Sequence, residues 1–271
     1  MSDLTSGSIP KPYHPGSDKP FLWGLVILGG SYALIIALMI AADVAYVDAD
    51  SMLAALNSPE IRFSIVLSLV SCSLSTIYSL WVAVPLGYLT SRFDFPGKRW
   101  LDVVMDIPIV LPPLVIGISL LALFNYPPFS WISDQVVFEV PAVILAQFMV
   151  AAAFAYRAMR IAFDQIPMRY EKVALTLGCH RGQAFWKVVM PQAKGGMVAA
   201  GTLAWARSLG EFGPILVFAG STRMRTEVLP TSVFLEMQAG NLKGMLAISM
   251  IMIIAAALVL VISRFFGMQR L

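Results

Sequence analysis

Six apolar runs dominate this chain, and each is long enough to cross a lipid bilayer as a helix. They fall at roughly 21–42, 61–90, 102–124, 138–160, 196–220 and 242–265. A hydrocarbon core of ~30 Å needs about 20 predominantly apolar residues at the helical rise, and inside it every backbone amide must be bonded within the protein. The predicted architecture is therefore an all-α membrane protein with six transmembrane helices. Composition agrees: 58% of the 271 residues are hydrophobic and only 13% charged. A soluble domain carries charge on about a quarter of its residues.

The first run, "FLWGLVILGGSYALIIALMIAA", exceeds the apolar core of a signal peptide and is expected to be retained as a span. Residues 1–20, rich in Ser, Pro, Gly and Lys, are expected to form a disordered cytoplasmic tail. Residues 21–271 then make a single transmembrane domain. Lys and Arg mark the cytoplasmic side. Lys11, Lys19, Arg92, Lys98, Arg99, the group from Arg157 to Lys194, Arg264 and Arg270 share one side. The other side holds Arg62, Arg223, Arg225 and Lys243 mixed with acids. Both termini are accordingly expected to be cytoplasmic.

Several kinds of chemistry find no support. Cys72, Cys179, His14 and His180 have no metal-ligand spacing, so no metal site is expected. No phosphate-cradling Walker loop is present, so neither ATP nor another cofactor is expected on this chain. A net charge of +3 gives no ground for a nucleic-acid partner. An intramembrane enzyme would have to use Glu211 or Asp106 as acid or base, and neither has a nucleophile or metal ligand beside it. No catalytic residues are expected.

The segment between the fourth and fifth runs, about 161–195, is different in kind. In "YEKVALTLGCHRGQAFWKVVMPQ", Val173, Ala174 and Leu177 recur at helical spacing, and so do Phe185, Val188 and Val189. Gly178 between them suits a left-handed helix end. Gly182 is expected to add a second break and Pro191 to stop the second helix. Arg169, Lys172, Arg181 and Lys187 are expected to face water. The pattern alone is also that of a basic loop resting on lipid headgroups.

This segment resembles the Glu-Ala-Ala loop of importer-type ABC transporter permeases. Ala174, Gly178, Phe185, Val188 and Pro191 stand where that motif places them. Lys172 and Val173 replace its first Glu and Ala, with Glu171 one place earlier, and Met190 replaces its Leu. "SRFDFPGKRWLDVVMDIPIVLPPLVIGISLL" and "WARSLGEFGPILVFAG" resemble the third and fifth spans of the molybdate, tungstate and sulfate permease group. The resemblance implies a coupling helix, with Glu171, Lys172, Ala174, Leu177, Gly178, Phe185 and Pro191 as its residues. It also implies two cytoplasmic ATPase subunits that hydrolyse ATP, an extracytoplasmic substrate-binding protein and a homodimer in the inner membrane. The cargo implied first is molybdate or tungstate, then sulfate. Iron or polyamines, carried by related permeases, are the alternative. An ATP-independent channel or carrier would not need the helix-glycine-helix segment.

Three features are candidates for the path. Arg207 and Glu211 lie one helical turn apart in the fifth run, where charge is costly and faces a bundle interior or water. They either neutralise each other or let Arg207 attract an anion while Glu211 tempers its charge. Ser64, Ser68, Ser71, Ser75 and Ser79 make one stripe along the second run, which either packs helices closely or offers hydroxyls to a passing oxyanion. Ser71 and Ser75 are its candidate path residues. Pro108, Pro112 and Pro113 interrupt the third run, and irregular backbone in a membrane must sit in protein or line a cavity. In the resembling family the third and fifth spans approach the pore axis. Pro112 and Pro113, with Gly210 and its neighbours to Pro214, are the implied gate.

Overall fold

A computed structural model describes residues 18–267, so the expected tail lies outside the described residues except at its last three positions. It is helical throughout, with no strand among the described residues. The chain divides into two compact units, Met1–Tyr46 and Val47–Leu271.

In the first unit, helix α1 (Lys19–Tyr46) is one uninterrupted 28-residue helix, two residues earlier at its start than the apolar run suggests. The second unit opens with α2 (Ala49–Asn57) and α3 (Pro59–Arg92). Ser58 caps α3, its Oγ accepting from the Ile61 amide at 3.3 Å, and Pro59 stands in the first turn, where its missing N–H costs nothing. The chain continues through α4 (Lys98–Val110), α5 (Pro113–Leu123), a 3₁₀ turn (Phe129–Ile132), the single turn α6 (Ser133–Val136) and α7 (Val140–Asp164). Then come α8 (Arg169–Thr176), α9 (Arg181–Ala184), a π-helical turn (Phe185–Val189), α10 (Met190–Leu209), α11 (Gly213–Phe218), α12 (Leu229–Gln238) and α13 (Leu242–Gly267).

Helix α7 is the centre of the second unit, and alanines make up half of its buried face. Ala142, Ala146, Ala151, Ala153 and Ala155 are buried, and α3, α10 and α4 pack around them. Without a hydrophobic driving force in lipid, such close approach supplies the dispersion contacts that hold helices together. A Cβ on Gly87 of α3 would sit 3.1 Å from the Arg160 amide of α7, so any larger residue there would press the two helices apart by a few tenths of an ångström.

The bundle is apolar outside and partly polar inside. On α3, Trp81 is 78% exposed while Ser64, Ser68, Ser71, Ser75 and Ser79 are all buried. In water that distribution would be costly; in a bilayer it is the expected one.

Among the described residues, four helices are long and apolar enough to cross a membrane: α1, α3, α7 and α13. Two expected spans are not simple helices. The run 102–124 is divided between α4 and α5, which meet at a bend of 115°, more than a kinked single helix. The run 196–220 is divided between α10 and α11 by Gly210, Glu211 and Phe212.

Candidate functional site: two broken helices and a basic end

Both breaks have local causes. Pro112 and Pro113 push the residues before them out of helical conformation, and Leu111 and Pro112 are extended, with ψ near 139° and 132°. Pro113 then starts α5 at a position that needs no amide donor. On the other helix, Gly210 ends α10 with its N–H on the Ala206 carbonyl at 3.2 Å, and Gly213-Pro214 restarts the chain as α11.

The breaks are packed against each other through glycines. A Cβ on Gly213 would fall 3.1 Å from the Leu114 amide and from Pro113 Cβ. One on Gly117 would fall 2.8 Å from Pro214 Cα. Between them lies a cavity of about 320 Å³ lined by Pro112, Pro113 and Leu114 on one side and by Arg207, Gly210 and Glu211 on the other. The gate candidates inferred from the two runs thus meet at one place.

Arg207 and Glu211 are the charges of this cavity. The Arg207 side chain is 34% exposed and lies over the Phe154 ring at 5.3 Å, while Glu211 is 1% exposed. Their nearest approach, 3.4 Å, is an ionic contact without hydrogen-bond geometry. The glutamate is therefore neutralised by charge while one of its oxygens keeps no hydrogen-bond donor.

The serine stripe lies elsewhere. Ser75 and Ser208 hydroxyls meet at 3.1 Å, Ser68 Oγ accepts the Leu229 amide at 2.8 Å, and Ser71 Oγ donates to the Ser68 carbonyl at 3.2 Å. Ser71 and Ser75 are completely buried: in this conformation the Ser71 hydroxyl bonds within α3 and the Ser75 hydroxyl joins α3 to α10, so neither meets an open path.

At the basic end, α8 and the turn after it have the predicted helix-glycine-helix form. Gly178 has φ +87°, a left-handed conformation that side chains rarely adopt, and the Cys179 amide reaches back to the Ala174 carbonyl at 3.1 Å. His180 opens the next helix, its Nδ1 accepting the Gln183 amide while Gln183 returns a bond to the His180 amide.

Three details of this element differ from expectation. Gly182 breaks nothing and lies within α9. Pro191 does not stop the helix, which runs without interruption from Arg181 to Leu209. The π-helical turn just before it loosens the bonding ladder where the proline ring would collide, and Gln192 Nε2 donates to the Val188 carbonyl there at 2.9 Å. Phe185 is turned inward, stacked 4.6 Å from Tyr88 and 6.4 Å from Phe163, so it supports the element from beneath. Glu171 and Ala174 also face the bundle; Glu171 Oε1 lies 3.3 Å from Arg92 Nε, and Arg92 Nη2 donates to the Ile166 carbonyl. Lys172 and Leu177 are exposed, Leu177 at 79%.

An ionic ladder that sequence reasoning missed ties α4 to α7. Arg157 makes two bonds to Asp106, at 3.0 and 2.6 Å, and Arg160 donates to Asp102, which also accepts the Tyr156 hydroxyl at 2.6 Å. Ser91, next to Arg92, donates to Asp164, which lies 4.0 Å from Arg160. Asp106 is thus held by Arg157 and ties α4 to α7. The signal available was spacing: Asp102 and Asp106 share one face of α4, and Arg157, Arg160 and Asp164 share one of α7.

Several long apolar helices and two broken ones define a multi-pass membrane protein. Residues 83–271 match the model of the binding-protein-dependent transport system inner membrane component, and the chain belongs to that family of prokaryotic inner-membrane proteins. It is 32% identical to the molybdenum transport system permease protein ModB of Mycobacterium tuberculosis over 253 residues, 91% of this chain and 94% of that one. It is 30% identical to the sulfate transport system permease protein CysT of Escherichia coli over 213 residues, 77% and 76% of the two chains. Its fold is similar to that of a chain in the crystal structure of a bacterial alginate ABC transporter in complex with an alginate pentasaccharide-bound periplasmic protein. There the TM-score is 0.69, with 15% identity over 93% of this chain and 92% of that one.

Proposed function

We propose that this chain is the translocation subunit of an importer for a tetrahedral oxyanion, molybdate or tungstate first and sulfate next. The observation that carries the reading is its likeness to a molybdenum permease along 91% of its length. The cavity between the broken helices supports it. Its volume of about 320 Å³ lies at the low end of the range for small-molecule sites, ~300–1,000 Å³, and its charged groups are one guanidinium and one carboxylate. A dianion passing Arg207 meets a positive charge already offset by Glu211. It is attracted enough to enter and held weakly enough to leave.

In this reading α1, α3, the α4–α5 pair, α7, the α10–α11 pair and α13 are six spans, and both termini are cytoplasmic. The permease works as a homodimer, and the outward face of α8 docks on a cytoplasmic ATPase subunit. A binding protein delivers substrate at the opposite side. ATP, bound more tightly by one state of the ATPase pair than by the other, shifts the bundle between outward-facing and inward-facing forms. Because α8 is anchored to α3 through Arg92 and α3 to α7 and α4 through the ionic ladder, a push on α8 reaches α4, which ends at the gate. Selectivity then belongs mainly to the binding protein. Calorimetry of that protein with molybdate, tungstate, sulfate and phosphate tests the cargo. Binding of molybdate and tungstate is expected; failure of all four, with binding of a metal cation or polyamine instead, overturns it.

A further inference from the structure

The charge on the outward face of α8 points to the chemistry of its partner. The inference rests on the reading that α8 docks on an ATPase subunit. Between residues 165 and 194 the sequence has five cations, Arg169, Lys172, Arg181, Lys187 and Lys194, and one carboxylate, Glu171. That carboxylate is not available to a partner: its side chain is 14% exposed and is turned in on Arg92. The cations are all exposed. Arg169 lies over Tyr170 at 5.4 Å and Arg181 over Phe93 at 5.2 Å, contacts that fix the guanidiniums without neutralising them. Lys172 and Lys187 have no ion-pair partner among the described residues.

The anchored side of α8 is distinct from its free side. Glu171 is held against Arg92 at the end of α3, and Ala174 is buried on the same side. At ~100° per residue, Arg169, Val173 and Thr176 lie on the opposite side, with Lys172 and Leu177 at its margins. That side faces away from the end of α3 on which Glu171 is anchored. It also carries apolar surface suited to a protein groove, Val173 being 56% and Leu177 79% exposed. Closing a groove over unpaired cations is unfavourable unless it supplies opposite charge.

We propose that the ATPase groove receiving α8 is acidic: carboxylates there meet Arg169 and Lys172 around an apolar contact with Val173 and Leu177. A motif with glutamate at 172 would meet a basic groove, so Lys172 and the acid opposite it are a matched pair that sets which ATPase this permease accepts.

The test uses the full permease in nanodiscs of zwitterionic phosphatidylcholine, with its ATPase subunit added. Affinity is measured between 50 and 500 mM salt for wild type, Lys172→Gln, Lys172→Glu and Arg169→Glu. Stepwise loss is expected, with Lys172→Glu weakened about tenfold or more at low salt and a shallower salt dependence in every variant. Rescue of Lys172→Glu by a lysine replacing a carboxylate of the ATPase groove is the strongest support. Unchanged or tighter binding of Lys172→Glu overturns the acidic groove. So does a charge effect that appears only when anionic phosphatidylglycerol is added, because the cations would then serve lipid. Docking itself is scored separately: in a Cys179→Ser background, the ATPase should protect Val173→Cys from maleimide. If protection fails, the docking reading falls; if it holds while charge has no effect, only the acidic groove falls.

Discussion

Replacing Gly117 by alanine tests the idea that the two broken helices form one tightly packed gate. The new Cβ would lie 2.8 Å from Pro214 Cα and 3.0 Å from its carbonyl oxygen, where ordinary contact begins at 3.4 Å. The nearest obstacle is backbone in the first turn of α11, and Pro214 is buried, so α5 and α11 must part by about 0.6 Å, the difference between 3.4 and 2.8 Å. Overpacking of this kind costs ~1–3 kcal/mol. Alanine also favours a helix over glycine by about 1 kcal/mol, which obscures the cost in a single comparison. Gly195→Ala is the control, because that residue is also inside a helix but has nothing within 4 Å of its would-be Cβ. The propensity gain cancels between the two variants, leaving Gly117→Ala less stable than Gly195→Ala by ~1–3 kcal/mol. At ~2–4 °C per kcal/mol for a chain of this size, that is a gap of roughly 2–12 °C in thermal midpoint. The assay is thermal unfolding of both purified variants in the same detergent, with transport measured in proteoliposomes. Equal midpoints, together with unchanged transport by Gly117→Ala, would refute the close packing of α5 on α11.

Further outcomes follow from the same geometry. Gly178→Val should insert normally but lose substrate-stimulated ATP hydrolysis, because φ +87° costs an L residue ~1–2 kcal/mol and a β-branched one more; Gly178→Asn should keep most of it. Glu211→Gln should leave Arg207 unopposed, so that molybdate inhibits turnover at lower concentration while maximal uptake falls, an effect absent if the pair only fixes the helix. Arg207→Gln should reduce uptake more than Arg207→Lys at equal protein level in the membrane. Asp106→Arg and Arg157→Asp should each impair uptake, with partial recovery in the double swap; the pair is solvent-exposed and screened, so melting should change little.

Apolar length alone located α1, α3, α7 and α13 to within a few residues, because bilayer thickness constrains composition more than any side-chain detail does. The prolines of the third run and the glycines of the fifth indicated irregular backbone, and Gly178 was legible as a left-handed turn. What escaped notice was set by contacts distant in sequence. Phe185 is placed in the coupling element by the resemblance alone, and only its contacts with Tyr88 and Phe163 show that it packs on the bundle. Pro191 signals a helix end, and only the π-helical turn before it explains why the helix continues. The serine stripe was visible, but whether its hydroxyls meet a path or other helices depends on Ser208 and the Leu229 amide, 133 and 161 residues away from their partners. The pairing of Asp106 with Arg157, across 51 residues, is likewise a property of the α4–α7 packing.

ATP-driven uptake of molybdate by the reconstituted transporter tests the central claim most directly. Permease, ATPase and binding protein are assembled in proteoliposomes, and internal molybdate is measured with and without ATP. Accumulation that requires both ATP and the binding protein, and is competed by tungstate, is the predicted result. Uptake that runs without ATP, or ATP-driven uptake of another solute with none of any oxyanion, would contradict the account.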